Sequence, residues 1–335
     1  MATPAATVRR VRAIVLESYG GPEVLTLRDV PDPVPGPDEV VVRVAATAIN
    51  RADLLQRMGL YPGPPMEHEI PGMELAGRVA EVGARVTDVE VGDAVMAIVG
   101  GGAYAELAVV PERQLITVPV SVGLPDAGAV PEVFITAYDA LVLQGGLTAG
   151  GWALVHAGGS GVGTAGIQLA HAVGARVVVT CSTGKVARCR DLGADVVVDH
   201  TCEDFVAACR DATGGAGVDV TLDVIGGDYA ARNIAATRVT GTIVQVGVMG
   251  GGDATVPVGE LLRRRIRWIG TVLRGRPPEE KAAVSRRCAH DLVPLFESGA
   301  LRPVIDRRYP LAEVGAAHTY VASNANVGKV LLEVD

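Results

Sequence analysis

Ala153 to Thr180, reading ALVHAGGSGVGTAGIQLAHAVGARVVVT, is the stretch that decides the fold. An apolar run from Ala153 to Ala157 breaks into the glycine cluster Gly158, Gly159, Gly161 and Gly163, and a segment with apolar residues at helical spacing follows. A second apolar run, Arg176 to Thr180, closes the unit. Strand, glycine turn, helix and strand within about thirty residues make a βαβ unit, whose helix start receives the pyrophosphate of a dinucleotide. Two registers of G-x-G-x-x-G can be drawn. One begins at Gly161 and continues through Gly163 and Gly166, but it starts well beyond the strand. The other begins at Gly158, directly after the strand, and runs through Ser160 to Gly163 with serine in the middle place. The turn must come where the strand stops, so Gly158, Ser160 and Gly163 are the expected positions.

Outward from this unit, helix and strand alternate. Strands are expected over residues 177–180, 196–199, 218–223, 243–247 and 268–273, with helices over 185–192, 205–213 and 229–236. That alternation predicts a doubly wound parallel sheet. The N-terminal part is different in style. Short expected strands at 13–17, 24–30, 40–46, 75–82, 93–99 and 104–110 are punctuated by glycine and proline, as in PDPVPGPDE, and the one clear helix is 50–57, with Asn50 placed to cap it. This pattern suggests a compact, mostly antiparallel, barrel-like domain. After Arg276-Pro277-Pro278 come a long helix to about 298, a short helix over 313–323 and a strand over 329–334, a return to the mixed style. The expected organisation is therefore an α/β chain whose first domain, 1–133, is completed by 275–335 around a dinucleotide domain, 134–274.

Composition sets outer limits. With 335 residues, 49% hydrophobic and 20% charged, the chain can fill two globular cores. A formal net charge of -8 gives no general attraction to nucleic acid or an anionic membrane. Two basic runs stand out, Arg9, Arg10, Arg12 in an expected frayed leader and Arg263, Arg264, Arg265, Arg267 on an expected solvated face. No apolar run reaches the ~18 residues that span a bilayer, and MATPAATVRRVR lacks the apolar core of a signal peptide. Cys181, Cys189, Cys202, Cys209 and Cys288 form no C-x-x-C pair and are odd in number, which suits a reduced, cytoplasmic protein.

The end of the second strand of the βαβ unit bears on the choice of nicotinamide cofactor. A site for NAD places Asp or Glu ~20 residues beyond the glycine turn, where it accepts the ribose 2'-hydroxyl. Here the place reads Cys181-Ser182-Thr183-Gly184-Lys185, with no acid. A carboxylate repels a 2'-phosphate, whereas the Ser182 and Thr183 hydroxyls and the Lys185 ammonium bind one, so NADPH is expected. The same hydroxyls also suit a cap for the next helix.

The segments NRADLLQRMGLY (50–61), IPGMELAGRVAEVG, GDAVMAIVGGGAYAEL, PEVFITAYDAL, HAGGSGVGTAGIQLA, DVIGG, GVMGGG and NANVGKVLLEVD together resemble the zinc-independent quinone oxidoreductases of the medium-chain dehydrogenase/reductase superfamily, most of all the tumour-suppressor-inducible NADPH quinone oxidoreductase subgroup. The resemblance runs from about Val11 to the last residue. It implies a GroES-like catalytic domain, a Rossmann domain, NADPH and a homodimer. It places Asn50 and Tyr61 on the substrate side and Thr136 beside the nicotinamide. Gly161, Val162 and Gly163 fall at the pyrophosphate, Lys185 at the 2'-phosphate, and Gly247, Val248 and Met249 after the fifth strand, with Leu273 and Asn326 as further contacts. His200 stands where relatives have a tyrosine beside the adenosine, and Leu55 stands where they have a second tyrosine.

No metal is expected. A catalytic zinc needs about three Cys, His or carboxylate ligands. The first 180 residues contain no cysteine, and Asn50 takes the place of the first ligand cysteine of zinc-dependent relatives. Glu74, where those relatives keep an acid near the metal, is expected to be a buried structural carboxylate. Without a metal to polarise a carbonyl, the acceptor of hydride must already be electron-poor, as quinones and conjugated enones are. The expected function is hydride transfer from NADPH to a quinone, with Asn50 as hydrogen-bond donor and Tyr61 as phenol for orientation or proton delivery. Reduction of a 2-alkenal, enone or enoyl-thioester double bond is the alternative within enzymes. An NADPH-binding regulatory protein with little turnover is the alternative of another class.

Overall fold

The computed structural model describes residues 10–334; the leader and its Arg9 lie outside the described residues. Arg10 and Arg12 belong to a strand, Arg10–Leu16, where Arg12 pairs with Glu106 at 2.6 Å, so this part of the basic run is a sheet edge and not a frayed leader. The chain groups into two compact units. One runs to Glu132 and resumes over Pro277–Val293 and from Ile305 onward; the other holds Val133–Arg276 and Pro294–Val304.

In the first unit a seven-stranded sheet is built around the eleven-residue strand Glu39–Ile49. One edge of that strand takes Glu74–Val82 along its length. The other edge is shared, Glu39 to Arg43 pairing with Leu107–Pro111 and Ala46 to Ile49 with the final strand Lys329–Glu333. The C-terminus therefore completes the sheet, and the antiparallel register that sets Val330 against Ile49 brings Lys329 beside Asn50. Valines and leucines on this ladder form the core, with Val40, Val42, Leu75 and Val110 fully buried. The expected strand over 104–110 begins later, at Leu107, because the Tyr104 backbone pairs elsewhere, its N–H donating to the Pro71 carbonyl and its carbonyl accepting from the Ile14 N–H; the Tyr104 hydroxyl hydrogen-bonds to His318 Nε2 at 3.2 Å.

His318, on the helix Val314–Ala322, is wholly buried, and its Nδ1 has no partner among the described residues. Burial, helped by the Arg57 charge, pushes its pKa down to about 3. An unfolded histidine takes its proton near ~6.5, so as the pH falls below that value the unfolded state binds a proton that the folded state refuses. Folding stability is therefore lost by up to ~1.4 kcal/mol per pH unit from about pH 6.5 downward. His318→Gln, which does not titrate, should flatten that slope in urea unfolding followed between about pH 6.5 and 4; an unchanged slope would remove His318 as its source.

The second unit carries a six-stranded parallel sheet in the spatial order Val196–Asp199, Arg176–Cys181, Trp152–Val155, Val218–Asp223, Thr237–Gln245 and Arg267–Gly270. The chain steps outward from Trp152–Val155 in one direction, then returns to its other side, which makes the gap beside Val155 the topological switch point. Residues 294–304 group with this unit rather than with the rest of the C-terminal segment. The Phe296 ring packs edge-on against Phe134 at 4.8 Å, and Gln168 holds the backbone of Arg302 from both sides, accepting from its N–H at 2.9 Å and donating to its carbonyl at 3.1 Å.

The second basic run is also built in. Arg264 ends the helix Val258–Arg264 and donates to the carbonyls of Ala235 and Thr237, while Arg267 opens the edge strand with its guanidinium on Thr242 Oγ1. These two arginines serve the sheet, and the run is not a uniformly solvated basic face.

Candidate functional site

The strand Trp152–Val155 ends earlier than the apolar run suggests, because His156 and Ala157 already belong to the turn, Ala157 with φ 54°. His156 is fully buried, its Nδ1 3.0 Å from Thr180 Oγ1 and its Nε2 2.7 Å from Asn233 Oδ1. Asn233 donates through Nδ2 to Asp223, so its Oδ1 must accept and His156 carries its proton on Nε2. This chain of bonds ties the glycine turn to the end of the fourth strand, where Asp223 Oδ1 in turn accepts from the N–H groups of Ile225 and Gly226.

The twelve-residue helix Gly161–Ala172 begins directly after the turn, with Ser160 as its cap. Ser160 Oγ accepts from the N–H of Gly163 at 3.0 Å, and the N–H of Thr164 goes to the Ser160 carbonyl at 2.8 Å. Of the first four helical N–H groups, those of Gly161 and Val162 have no partner among the described residues, and they lie at the positive end of the helix. A Cβ on Gly163 would lie 2.3 Å from the Ala157 carbonyl oxygen and 2.7 Å from Gly158 Cα, whereas one on Gly166 would meet only side chains, at 3.3 Å or more. The closest approach of helix to turn is thus at Gly163. These residues fit a pyrophosphate: two unused donors, a helix dipole and backbone bare of side chains.

Lys185 lies across this turn. A Cβ on Gly159 would come within 2.5 Å of Lys185 Cδ, so the lysine stem covers Gly159. Ser182 precedes the 3-10 turn Thr183–Lys185 and makes no side-chain capping bond, leaving its hydroxyl out of the helix start. Thr183 faces Thr201, with the hydroxyls 3.4 Å apart, and bonds to Asp199. Asp199 is a carboxylate near this place that spacing from the turn did not reveal. Hydrogen bonds from Thr183 and Thr201 hold its pKa down at about 2, so it is charged, and its Oδ1 is occupied by the Thr201 N–H and hydroxyl at 3.0 and 2.7 Å. His200 follows it, exposed, with its N–H on the Cys181 carbonyl.

Beyond the fourth and fifth strands two loops run side by side. The Met249 and Gly250 N–H groups bond to the Val224 and Ile225 carbonyls, which holds Gly247, Val248 and Met249 over the end of the sheet, with the Val248 and Met249 side chains exposed. Thr136, half-buried, is on the helix Pro131–Tyr138. The helix continues into a wider π-helical turn, Asp139–Gln144, where Asp139 pairs with Arg276 at 2.5 Å. Arg276 also reaches Thr271 Oγ1 and the Val272 carbonyl, and so fixes the segment that carries Leu273.

In the first unit the arrangement around Asn50 is closed. Asn50 precedes the helix Arg51–Arg57, its N–H donating to Asp53 Oδ2 at 2.8 Å, and its side chain is 6% exposed. Its Nδ2 donates to Glu74 Oε1 at 2.9 Å and to the Ala48 carbonyl at 3.3 Å, while its Oδ1 accepts from Lys329 Nζ. Lys329 Nζ completes its three donors with Glu74 Oε1 at 2.8 Å and the Ile49 carbonyl at 3.1 Å, and Glu74 Oε2 accepts from the Glu132 N–H at 2.9 Å. Glu74 is fully buried, and its partners are now explicit. Both hydrogens of the Asn50 amide are engaged, so donation to an acceptor requires surrender of one, and the longer bond to Ala48 is the weaker. Tyr61 is half-buried in the segment after the helix, and Asn326, also half-buried, donates to the Gly328 carbonyl at 2.7 Å.

Lys329, His156 and Asp199 are among the residues of these networks that sequence reading did not single out. Lys329 had a signal, a lysine opening an otherwise apolar strand, where a charge is buried only if paired. The other two had none beyond their position at strand ends. Among the described residues no three His, Cys, Asp or Glu side chains group as a metal site.

A doubly wound dinucleotide sheet and a β-rich unit completed by the C-terminus, carried on one chain, define a medium-chain dehydrogenase/reductase. The model for the alcohol dehydrogenase GroES-like domain matches residues 36–120, and that for zinc-binding dehydrogenases matches 161–289. A quinone oxidoreductase of Pseudomonas aeruginosa is 33% identical over 326 residues, 96% of this chain and 99% of the relative. An alcohol dehydrogenase superfamily protein from Novosphingobium aromaticivorans superposes with a TM-score of 0.88 at 31% identity, covering 97% of this chain and 100% of that one. The JamJ enoyl reductase does so at 0.87 and 25%, covering 98% and 100%. The chain belongs to the quinone oxidoreductase family of the medium-chain dehydrogenase/reductase superfamily.

Proposed function

We propose that the chain is a zinc-independent, NADPH-dependent reductase that delivers hydride to a quinone. The observation that carries the cofactor choice is the Lys185 side chain laid across Gly159, at the end of a strand followed by residues 182–185 that hold no acid. Ser182 and Lys185 bind the 2'-phosphate. Gly161 and Val162 offer their N–H groups to the pyrophosphate. Thr136, the 247–249 loop and Leu273 line the rest, with His200 toward the adenosine. Bound there, the nicotinamide supplies hydride.

The chain's own residues do the remainder. Asn50 turns an Nδ2 hydrogen from Ala48 to the acceptor oxygen, and Tyr61 orients the ring and gives a proton to the reduced product. Zinc-independence is supported by the donor set: Asn50, Glu74 and Lys329 offer one carboxylate, already paired with an ammonium that fills the position of a cation. The quinone acceptor is supported by the relative that bears that name. A double-bond reductase is the second reading, favoured by the likeness to the JamJ enoyl reductase.

NADPH oxidation at an absorbance of ~340 nm, with NADH in parallel, against an ortho-quinone, a para-quinone, an enone and an enoyl thioester tests both. Turnover with quinones supports the first reading, turnover confined to alkenes replaces it with the second, and binding without turnover points to a regulatory protein. Tyr61→Phe should lower kcat about tenfold or more and leave the Kd for NADPH unchanged; unaltered kinetics with every acceptor would remove Tyr61 from the site. A homodimer is part of the proposal, and sedimentation equilibrium tests it.

A further inference from the structure

We propose that Lys329 is a positioning residue for the acceptor-binding amide of Asn50, a role that rests on the reading of Asn50 given above. Three facts converge on it. Lys329 is 3% exposed, and its ammonium has three acceptors and three donors, the Ile49 carbonyl, Asn50 Oδ1 and Glu74 Oε1. An ammonium only donates and a carboxylate only accepts, so the amide between them has one possible orientation, Oδ1 toward Lys329 and Nδ2 toward Glu74. Without the lysine, Oδ1 loses its charged partner and the amide is held only through its Nδ2 bonds to Glu74 and the Ala48 carbonyl.

The same contact also polarises the group. A charge-assisted bond to Oδ1 draws electron density from the amide nitrogen and strengthens each Nδ2–H as a donor. The ion pair with Glu74 is needed for this arrangement to persist, because an ammonium buried without a carboxylate does not stay charged. A lysine whose sole task was to stitch the last strand to the sheet would be satisfied by Glu74 and the Ile49 carbonyl; the third bond goes to the side chain of the candidate site.

Removal of Lys329 alone strands the Glu74 carboxylate and removal of Glu74 alone leaves the ammonium unpaired, so the two charges are removed together, as the paired change Lys329→Met with Glu74→Gln. A cycle between this paired change and Asn50→Ala, starting from the unchanged chain, is read as kcat/KM for 1,4-benzoquinone and as KM for NADPH. With Asn50 present, the paired change should lower kcat/KM for the quinone about tenfold and leave KM for NADPH within about twofold; with Asn50→Ala in place, the further loss should fall below about twofold. An equal loss in both backgrounds makes Lys329 a structural residue and overturns the proposal.

If Asn50→Ala itself leaves quinone kinetics unaltered, the reading of Asn50 fails, and the hold of Lys329 on the amide is still decided without turnover. In protein labelled with 15N-asparagine, the Asn50 side-chain signal is the one absent from Asn50→Ala. Its hydrogens should exchange with solvent about tenfold faster after the paired change Lys329→Met with Glu74→Gln than in the unchanged chain. Unchanged exchange overturns the proposal.

Discussion

Gly163→Ala is expected to weaken NADPH binding about 100-fold or more and to lower the stability of the dinucleotide unit by about 3 kcal/mol. The added methyl would stand 2.3 Å from the Ala157 carbonyl oxygen and 2.7 Å from Gly158 Cα, and both are backbone atoms with no rotamer to escape into. The helix start must therefore move off the turn, and the unused N–H groups of Gly161 and Val162 move with it. Gly166→Ala is the control. Its methyl would meet Val155 side-chain carbons at 3.3 and 3.4 Å, and alanine is favoured over glycine inside a helix by ~1 kcal/mol, so the change should be close to neutral. Fluorescence titration with NADPH and urea unfolding of both variants give the answer. Gly166→Ala as damaging as Gly163→Ala would place the glycine motif in the register that begins at Gly161, which shares Gly163 and adds Gly166; tolerance of Gly163→Ala would contradict both registers.

Lys185→Ala is expected to raise KM for NADPH by between about tenfold and 100-fold and leave that for NADH within about twofold, because a hydrogen bond to a charged group contributes ~1.5–3 kcal/mol and NADH has no 2'-phosphate to receive it. The lysine stem also covers Gly159, so truncation uncovers backbone as well as removing charge. Lys185→Met separates these effects: it keeps the stem, removes the ammonium, and should reproduce the NADPH loss. The preference for NADPH over NADH should also shrink as salt is added, as a partly exposed charge contact does. Equal losses with both cofactors would contradict the 2'-phosphate assignment.

The features that were legible in the sequence share one property, that neighbours in the chain decide them. Alternation of helix and strand from residue 153 onward, the glycine turn after an apolar run and the acid-free segment 181–185 all follow from backbone sterics, side-chain periodicity and turn chemistry acting within a few residues. The same locality explains the shifts at element ends. Ala153 to Ala157 reads as one apolar run, yet the strand stops at Val155, where the chain turns through Ala157 and the His156 side chain is fixed by Thr180 and Asn233, partners 24 and 77 residues away.

The site in the first unit shows the limit most clearly. Asn50 can be read as a donor from its type and its place before a helix, but whether its hydrogens are available depends on Glu74, 24 residues on, and on Lys329, 279 residues away. Likewise Thr183 reads as a phosphate ligand, and its bond to Asp199 and its place 3.4 Å from the Thr201 hydroxyl could not be read from the chain. By itself the sequence determined the two architectures, the dinucleotide turn and the absence of an acid from residues 181–185. Only the tertiary structure decided which polar atoms are already spent, because a buried donor takes the nearest acceptor in space, and the antiparallel pairing of Val330 with Ile49 is what brings a lysine from the end of the chain to the amide of Asn50.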